Sequence, residues 1–346
     1  MNNVEWVVEA GFDWRSVTEE ELLNMRLCDL PVKIEGTTLE HRVKRLYDEL
    51  DQRQIRFKPY VWLSEEWFTP DGIPGFAIPF YLAHPRLMKL ERKFMLEAEG
   101  VSHIECMRIM RHETGHALSN AYTLHGKRDW RDVFGSFAQA YPDFYKPDPR
   151  SRGYVLHLNA WYAQAHPAED FAETFAVWLA SGEVWRTTYR EWPALRKLEY
   201  VDRTMDKIHE ELPPNRVRRR VEPLTRLKLT LREHYQRKRD HYAMEWPPIY
   251  DSHLFRIFSP DSHNTPLGSA AGFLQRNRRQ LRQEVAEGTG LHHYTVDQAL
   301  KHMINRCKEL KLRVAIAESE AKLRATIMLT AQSLNAVHSG YPRVAL

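Results

Sequence analysis

Two histidines lie four residues apart in the stretch RIMRHETGHAL, and a glutamate directly follows the first of them. On an α-helix, positions i and i+4 are about 40° apart around the axis and about 6 Å apart along it, so His112 and His116 project from one face. Both imidazoles can therefore reach one metal ion. Glu113 lies beside the first imidazole and can take a proton from a metal-bound water without coordinating the metal, as in the H-E-x-x-H pattern.

The motif needs a third ligand, because a chain with 17 histidines can contain it by chance on an ordinary core helix. A hydrolytic zinc centre uses three protein ligands and one open position, and two histidines with one glutamate are an established set. The segment HPAEDFAETFAVWL places Glu169 and Glu173 four residues apart, next to large apolar side chains. Such an acidic pair is not typical of a solvated helix face, and either carboxylate could complete the site.

The composition of the chain limits how a metal could be held. Its three cysteines, Cys28, Cys106 and Cys307, are too few and too widely spaced for a disulfide framework or a cysteine-rich zinc site. Histidine and carboxylate side chains must then supply the ligands. Neither a secretory signal pattern at the start nor an apolar stretch of about 18 residues is present, so we expect a cytoplasmic protein that does not enter the membrane.

The local patterns predict elements that would hold these residues in place. Residues 103–121 are predicted to be a helix, with Ile104, Met107 and Met110 on its apolar side. A second helix over about 167–180 begins with a proline, which suits a first helical turn. A short strand near Phe76–Ala83 is flanked by prolines, which favours a sheet edge open to an extended peptide.

The order of these elements predicts an α+β protein with three parts. We expect an N-terminal segment over 1–25 and a zincin-like catalytic domain with a small sheet over 26–212. A basic, mostly helical C-terminal region follows over 213–346. The basic character is concentrated in 196–240, which contains 14 Lys or Arg against 8 Asp or Glu. This concentration favours an acidic partner.

A family resemblance adds to this interpretation. HETGH followed by EDFAETFAVWL resembles the bacterial putative zinc-binding metallopeptidase family, as do IPFYLAHPRL and YVLHLNAWYAQAHPAEDFAETFAVW. More distantly, the site is similar to gluzincins such as anthrax lethal factor and the Mlc titration factor peptidase. In lethal factor, the ligand glutamate opens a Glu-Phe-Phe-Ala-Glu-Ala-Phe stretch, which corresponds to Glu169 through Phe175 here.

The resemblance implies roles for individual residues. It implies a Zn²⁺ ion held by His112, His116 and Glu169, with Glu113 as general base. Glu173 would then support a ligand imidazole rather than bind the ion, and Tyr162 would donate a hydrogen bond to the developing oxyanion. The residue types alone do not separate Tyr162 from the neighbouring Trp161 or from Tyr154, and a buried structural tyrosine is the plainer interpretation.

Three functions fit these observations. The first is a zinc-dependent metallopeptidase that hydrolyses the peptide bonds of a protein or peptide substrate, and the basic stretch favours an acidic one. The second keeps the same hydrolytic chemistry but acts on a non-protein amide. The third is a regulatory or nucleic-acid-binding protein with a structural metal, which the absence of a fourth candidate ligand disfavours.

Some other residues receive plainer interpretations. His125, His157 and His166 have no partner at ligand spacing, so structural roles are expected for them. Arg218, Arg219 and Arg220 have no nucleic-acid-binding motif beside them, so we do not expect nucleic acid to be bound.

Overall fold

A computed structural model of the chain describes residues 12–142, 145, 147–243, 251–260 and 268–338. The chain divides into two compact units. The first contains residues up to Phe94 together with Ala98–His234, and the second contains Met95–Glu97 and the residues from Tyr235 onwards. The predicted division at 26 and 213 stays a prediction, and residues 1–11 of the segment predicted over 1–25 lie outside the described residues.

The described residues are mostly helical, and two small sheets complete an α+β fold, as predicted. The helices are α1 (Glu19–Asn24), α2 (Thr38–Gln52), α3 (Pro85–Met95), α4 (His103–Ala121), α5 (Arg128–Phe134), α6 (Pro167–Ala180), α7 (Val184–Thr188), α8 (Leu195–Ile208), α9 (Leu231–Tyr242), α10 (Asp251–Leu254), α11 (Ala270–Thr289), α12 (His293–Glu309) and α13 (Glu318–His338). The strands are β1 (Tyr60–Ser64), β2 (Gly75–Pro79), β3 (Phe258–Ser259) and β4 (Arg313–Val314).

Helices α4 and α6 begin and end where the sequence predicts. The Ser102 hydroxyl accepts a hydrogen bond from the backbone N–H of Glu105 and caps α4. His166 caps α6 by accepting from the N–H of Ala168, and Pro167 occupies the first turn. One detail of the predicted apolar side was wrong: the side chain of Ile104 is 74% exposed, because it lies in the first turn, where the helix projects beyond the core.

Helix α4 is buried on almost all sides from Cys106 to Ala121. Arg111 anchors it to α2 through two hydrogen bonds of 2.8 and 2.9 Å to the carboxylate of Glu49, and both side chains are largely buried. A paired, hydrogen-bonded charge of this kind fixes the rotation of a helix, because breaking it would leave a buried charge uncompensated.

Strands β1 and β2 pair in parallel, with Tyr60 opposite Gly75 and Ser64 opposite Pro79. The expectation of an open edge strand over Phe76–Ala83 was wrong in two respects. The strand ends at Pro79, and residues 80–83 form a buried 3-10 helix. On its other side, the N–H of Ala77 already donates to the carbonyl oxygen of Phe68 at 2.9 Å, so this edge is partly covered.

The second unit is built around α11, α12 and α13, whose apolar faces share one core with the β3–β4 pair. Asp297, which is 2% exposed, accepts hydrogen bonds from Arg278 and Arg282 and links α12 to α11. Among the residues that the structure describes, no helix is both long enough and apolar enough to cross a membrane.

Candidate metal centre

The close packing of α4 against α6 depends on Gly115. A Cβ atom at this position would lie 3.1 Å from the carbonyl oxygen of Ala172, which is a tight contact, and 2.8 Å from its Cα, which is closer than real Cβ contacts. Glycine therefore allows the two backbones to approach although it weakens a helix interior by about 1 kcal/mol. The approach brings the side chains at 112 and 116 to those at 169 and 173.

Three donor atoms converge between the two helices. The Nε2 atoms of His112 and His116 are 3.1 Å apart, and Oε2 of Glu169 lies 3.1 Å from the first and 3.2 Å from the second. Tetrahedral zinc with bonds of about 2.0–2.1 Å separates its ligand atoms by about 3.3–3.4 Å. The observed triangle is close to one face of that tetrahedron, so this donor set fits a metal ion with three protein ligands.

Electrostatics keep the carboxylate in its ionised form. Burial alone would raise the pKa of Glu169, but the neighbouring His116 and His112 hold this pKa well below its usual range. A buried carboxylate that remains charged between two imidazoles suits the binding of a cation.

Glu173 contacts the back of the first histidine. Its Oε1 lies 2.8 Å from Nδ1 of His112, and its Oε2 accepts a hydrogen bond of 2.7 Å from the backbone N–H of Leu158. The carboxylate therefore favours a proton on Nδ1, which leaves the Nε2 lone pair directed at the converging donors. This carboxylate–histidine contact is the arrangement that usually orients a metal-binding imidazole.

Glu113 projects from the same helix and is 7% exposed. The hydroxyl of Thr69 donates a hydrogen bond of 2.7 Å to Oε2 of Glu113 from the loop between β1 and β2. The same hydroxyl lies 3.2 Å from the backbone carbonyl oxygen of Glu113, and among the described residues no hydrogen bond reaches Oε1, the other carboxylate oxygen. Sequence reasoning missed Thr69, because it lies 44 residues from its partner and in no recognisable motif.

Tyrosines surround the donor cluster. The ring centroid of Tyr162 is 5.7 Å from that of His112, and burial, with the nearby Glu169 charge, raises the pKa of Tyr162 well above its usual value. Tyr141, which the sequence analysis did not consider, donates a hydrogen bond of 2.7 Å to Oε1 of Glu169. Its ring stacks on that of His166 at 3.9 Å. Both phenols therefore remain protonated donors at neutral pH.

An unusual backbone conformation precedes Tyr162. Ala160 and Trp161 both have positive φ angles, of 58° and 53°, and the hydroxyl of Tyr145 donates a hydrogen bond of 2.7 Å to the carbonyl oxygen of Ala160. Non-glycine residues adopt this conformation at a cost in free energy, and such residues cluster at functional sites. The two alternatives to Tyr162 are placed differently: Trp161 lies on the strained turn itself, and the Tyr154 ring packs against the ammonium group of Lys197 at 3.9 Å.

The other histidines of this region contact the protein rather than the donor cluster. Nε2 of His157 donates to the carbonyl oxygen of Arg108 at 2.9 Å, and burial lowers the pKa of His157 to about 4. Nε2 of His166 donates to the carbonyl oxygen of Gln139 at 2.8 Å. His125 stacks on Phe137 with 4.2 Å between the ring centroids. These contacts agree with the structural roles expected for all three.

Comparison with known proteins agrees with the donor set. No curated protein and no solved structure was found to match the chain. Residues 106–242, however, match the sequence model of a family described as putative zinc-binding metallo-peptidase. This range contains the HETGH motif, both glutamates and the three tyrosines of the site. The resemblance to a putative zinc-binding metallopeptidase family is therefore confirmed over residues 106–242, the part of the chain that carries the candidate centre.

Proposed function

We propose that this protein is a zinc-dependent metallopeptidase whose centre lies between α4 and α6. The observation that carries the proposal is the convergence of the two histidine Nε2 atoms and Oε2 of Glu169 within 3.1–3.2 Å of one another. His112, His116 and Glu169 would hold the ion. Bound zinc supplies a Lewis acid that polarises a carbonyl and lowers the pKa of its bound water to about 7.

The remaining residues have separate tasks in this proposal. Glu113 accepts the proton of the attacking water and passes it to the leaving amine, while Thr69 holds one of its carboxylate oxygens in place. Tyr162 donates a hydrogen bond to the oxyanion that forms at the scissile carbonyl. Glu173 fixes the tautomer and the ring orientation of His112, and Tyr141 holds the second oxygen of Glu169.

The substrate we propose is a protein or peptide, in agreement with the family description, and the expected compartment is the cytoplasm. An extended substrate has no free N–H to pair with at Ala77 of β2, because this N–H already donates to the carbonyl oxygen of Phe68. Binding would then rely more on side-chain contacts than on strand addition.

A non-protein amide is the second candidate substrate, since a zinc centre attacks amide carbonyls alike. A structural metal is less well supported. Among the residues that the structure describes, the group that could hold an ion contains only three donors, whereas structural zinc sites are usually closed by four.

The test compares Glu113→Gln with Glu105→Gln, a matched amide substitution in the first turn of the same helix. We expect the wild-type chain to bind about one zinc ion and to cleave members of a peptide library. Glu113→Gln should keep the zinc and the fold but lose cleavage, because an amide cannot accept the proton. Glu105→Gln should keep the zinc, the fold and the cleavage activity.

The zinc content of each variant is measured by mass spectrometry, and peptide cleavage is measured by liquid chromatography. Undiminished cleavage by Glu113→Gln would remove this residue as the base. Stoichiometric zinc in a folded His112→Ala protein would refute the ligand set. Cleavage of small amides with none of peptides would favour the second candidate.

A further inference from the structure

An exposed cationic segment lies in the first unit, in the part of the chain that follows α8. Four arginines occur within five residues, and all four side chains are exposed: Arg216, Arg218, Arg219 and Arg220. We call residues 216–220 the arginine strip. Among the described residues, none of the four guanidinium groups forms an ion pair, and Arg216 donates only to the carbonyl oxygen of Pro213.

The backbone of the strip is held by β1. Tyr60, Trp62 and Ser64 alternate along the strand, so their side chains lie on one face. Each donates one hydrogen bond to a carbonyl oxygen of the strip or of the residues just after it, over 2.8, 2.9 and 2.7 Å respectively. The acceptors are Arg219, Val221 and Glu222. These bonds fix the path of the chain through backbone atoms and use none of the guanidinium groups, of which that of Arg218 lies over the Tyr60 ring with 6.0 Å from Cζ to the ring centroid.

The strip begins close to the proposed metal centre. The N–H of Asn215 donates to the carbonyl oxygen of Ala121 at 3.1 Å, and its side-chain amide donates to the carbonyl oxygens of Asn120 and Gly72. Asn120 is four residues beyond His116, a rise of about 6 Å along α4. Gly72 belongs to the same loop that supplies Thr69 to Glu113. Asn215, which immediately precedes the strip, is thus hydrogen-bonded to the two elements that hold the reacting groups.

Unpaired, exposed arginines favour an anionic partner. A planar guanidinium binds a carboxylate through two parallel hydrogen bonds, and prior ordering of the backbone lowers the entropy lost on binding. The strip is short, since five extended residues span about 17 Å. Exposed glutamates, Glu211 and Glu222, lie on either side of it in the sequence and would repel a longer polyanion. A short run of carboxylates fits these limits better than a nucleic acid does.

We propose that the arginine strip binds a short acidic run in the polypeptide substrate and thereby presents that substrate to the metal centre. This inference rests on the proposed function only in treating the bound polypeptide as a substrate. The binding of an acidic polypeptide can be measured without any hydrolysis. The inference goes beyond that function because it names the class of polypeptide selected and the residues that select it.

The binding experiment uses the full chain with Glu113→Gln, so that no probe is cleaved. The strip variant replaces the four arginines with glutamine. A control variant removes the same number of exposed, unpaired positive charges elsewhere in the described part of the first unit, by changing Lys44, Lys89, Lys127 and Arg190 to glutamine. The fluorescent probes are a hexaglutamate peptide, a hexaglutamine peptide and a single-stranded oligothymidylate with six phosphates, at physiological salt.

We expect hexaglutamate to bind the parent and the control variant with similar affinity and the strip variant at least about tenfold more weakly. Equal weakening in the control variant would show a net-charge effect and overturn the proposal. Absence of hexaglutamate binding to the parent would overturn it too. Tighter binding of the oligothymidylate, lost in the strip variant, would replace it with a nucleic-acid surface.

A second variant tests the role of β1. Tyr60→Phe combined with Ser64→Ala keeps all four arginines but removes two of the three hydrogen bonds from β1 to the strip and the residues just after it. We expect several-fold weaker binding of hexaglutamate, with an unchanged circular dichroism spectrum, and unchanged affinity would contradict the preordering of the strip. In a chain with Glu113 intact, an acidic tag on a cleaved peptide should lower KM, and the strip variant should lose that difference. Failure of all cleavage would count against the proposed function alone.

Discussion

The hydroxyl of Thr69 donates to Oε2 of Glu113 across 2.7 Å, which joins the β1–β2 loop to the middle of α4. Hydrogen bonds to charged groups contribute about 1.5–3 kcal/mol. We therefore expect Thr69→Val to lower kcat by about 10- to 100-fold, because the carboxylate loses its fixed orientation. Thr69→Ser keeps a hydroxyl and should retain most of the activity. Equal kcat values for the valine and serine variants would show that the contact does not position Glu113.

The two glutamates of α6 should differ in their effect on metal affinity. Glu169 has an oxygen beside both Nε2 atoms, whereas Glu173 contacts only the far nitrogen of His112. Losing a residue behind the ligands typically costs about 10- to 100-fold in affinity, and losing a ligand costs more. We expect Glu169→Gln to release zinc to a chelator at lower chelator concentration than Glu173→Gln does. The reverse order would assign the ligand role to Glu173.

The roles of Tyr162 and Tyr141 can be distinguished by measuring kcat and zinc affinity. Removal of one oxyanion donor typically lowers kcat by about 10²- to 10³-fold, which is the effect expected for Tyr162→Phe with little change in zinc affinity. Tyr141→Phe removes the hydrogen bond to Oε1 of Glu169, so zinc affinity should fall while kcat at saturating zinc changes little. If Tyr141→Phe instead gave the large loss of kcat with zinc bound, Tyr141 would take the oxyanion role.

Gly115→Ala tests the approach of the two helices. The added methyl group would meet backbone atoms of Ala172, which cannot move without separating α4 from α6. Overpacking of this kind typically destabilises a protein by about 1–3 kcal/mol, and the metal affinity should fall with it. Gly126→Ala is the matched control, since nothing lies within 4 Å of its Cβ position. Equal thermal unfolding midpoints for the two variants would contradict the packing argument.

His84 gives the first unit a dependence of stability on pH. Burial, with a smaller effect of the Arg86 charge, lowers the pKa of His84 from 6.5 to about 4. Between these values the unfolded chain binds a proton that the folded chain does not, so the free energy of unfolding falls as the pH decreases from about 6.5 towards 4. The contribution of neutral His84 is thus complete above about pH 6.5.

His84→Asn should reduce this dependence. Its side-chain oxygen can replace Nδ1 of His84 as acceptor for the N–H of Arg86, while the asparagine side chain itself does not titrate. Unfolding midpoints measured at pH 7.5 and pH 5 should differ less in the variant than in the wild type. An identical difference would mean that His84 does not contribute to the pH dependence.

The sequence predicted the elements whose signals are local. Helix α4 follows from apolar periodicity and α6 from a proline in its first turn, and the bounds of both agree with the prediction. The 3.6-residue repeat also predicts that His112 and His116 share a face. The glycine within the HETGH motif is also visible in the sequence, and it is a position at which α4 approaches α6 closely enough to exclude a Cβ atom.

Contacts between distant residues could not be predicted in the same way. Thr69 and Tyr141 lie 44 and 28 residues from the carboxylates that they bind, and neither belongs to a periodic pattern. The predicted edge strand was wrong because proline flanks indicate an edge, but the contact of Phe68 with Ala77 depends on how a preceding loop folds back. Tertiary contacts of this kind are set by the whole core and not by neighbouring residue types.

The triangle of donor atoms also has a mechanical consequence. Its members come from α4 and α6, which are separated by the chain from Tyr122 to His166. An ion bound to both helices would close this stretch into a loop of more than forty residues. It would bind the folded first unit and not the unfolded chain, in which the site is not formed, so the ion and the fold would stabilise each other and removal of the ion would release that constraint.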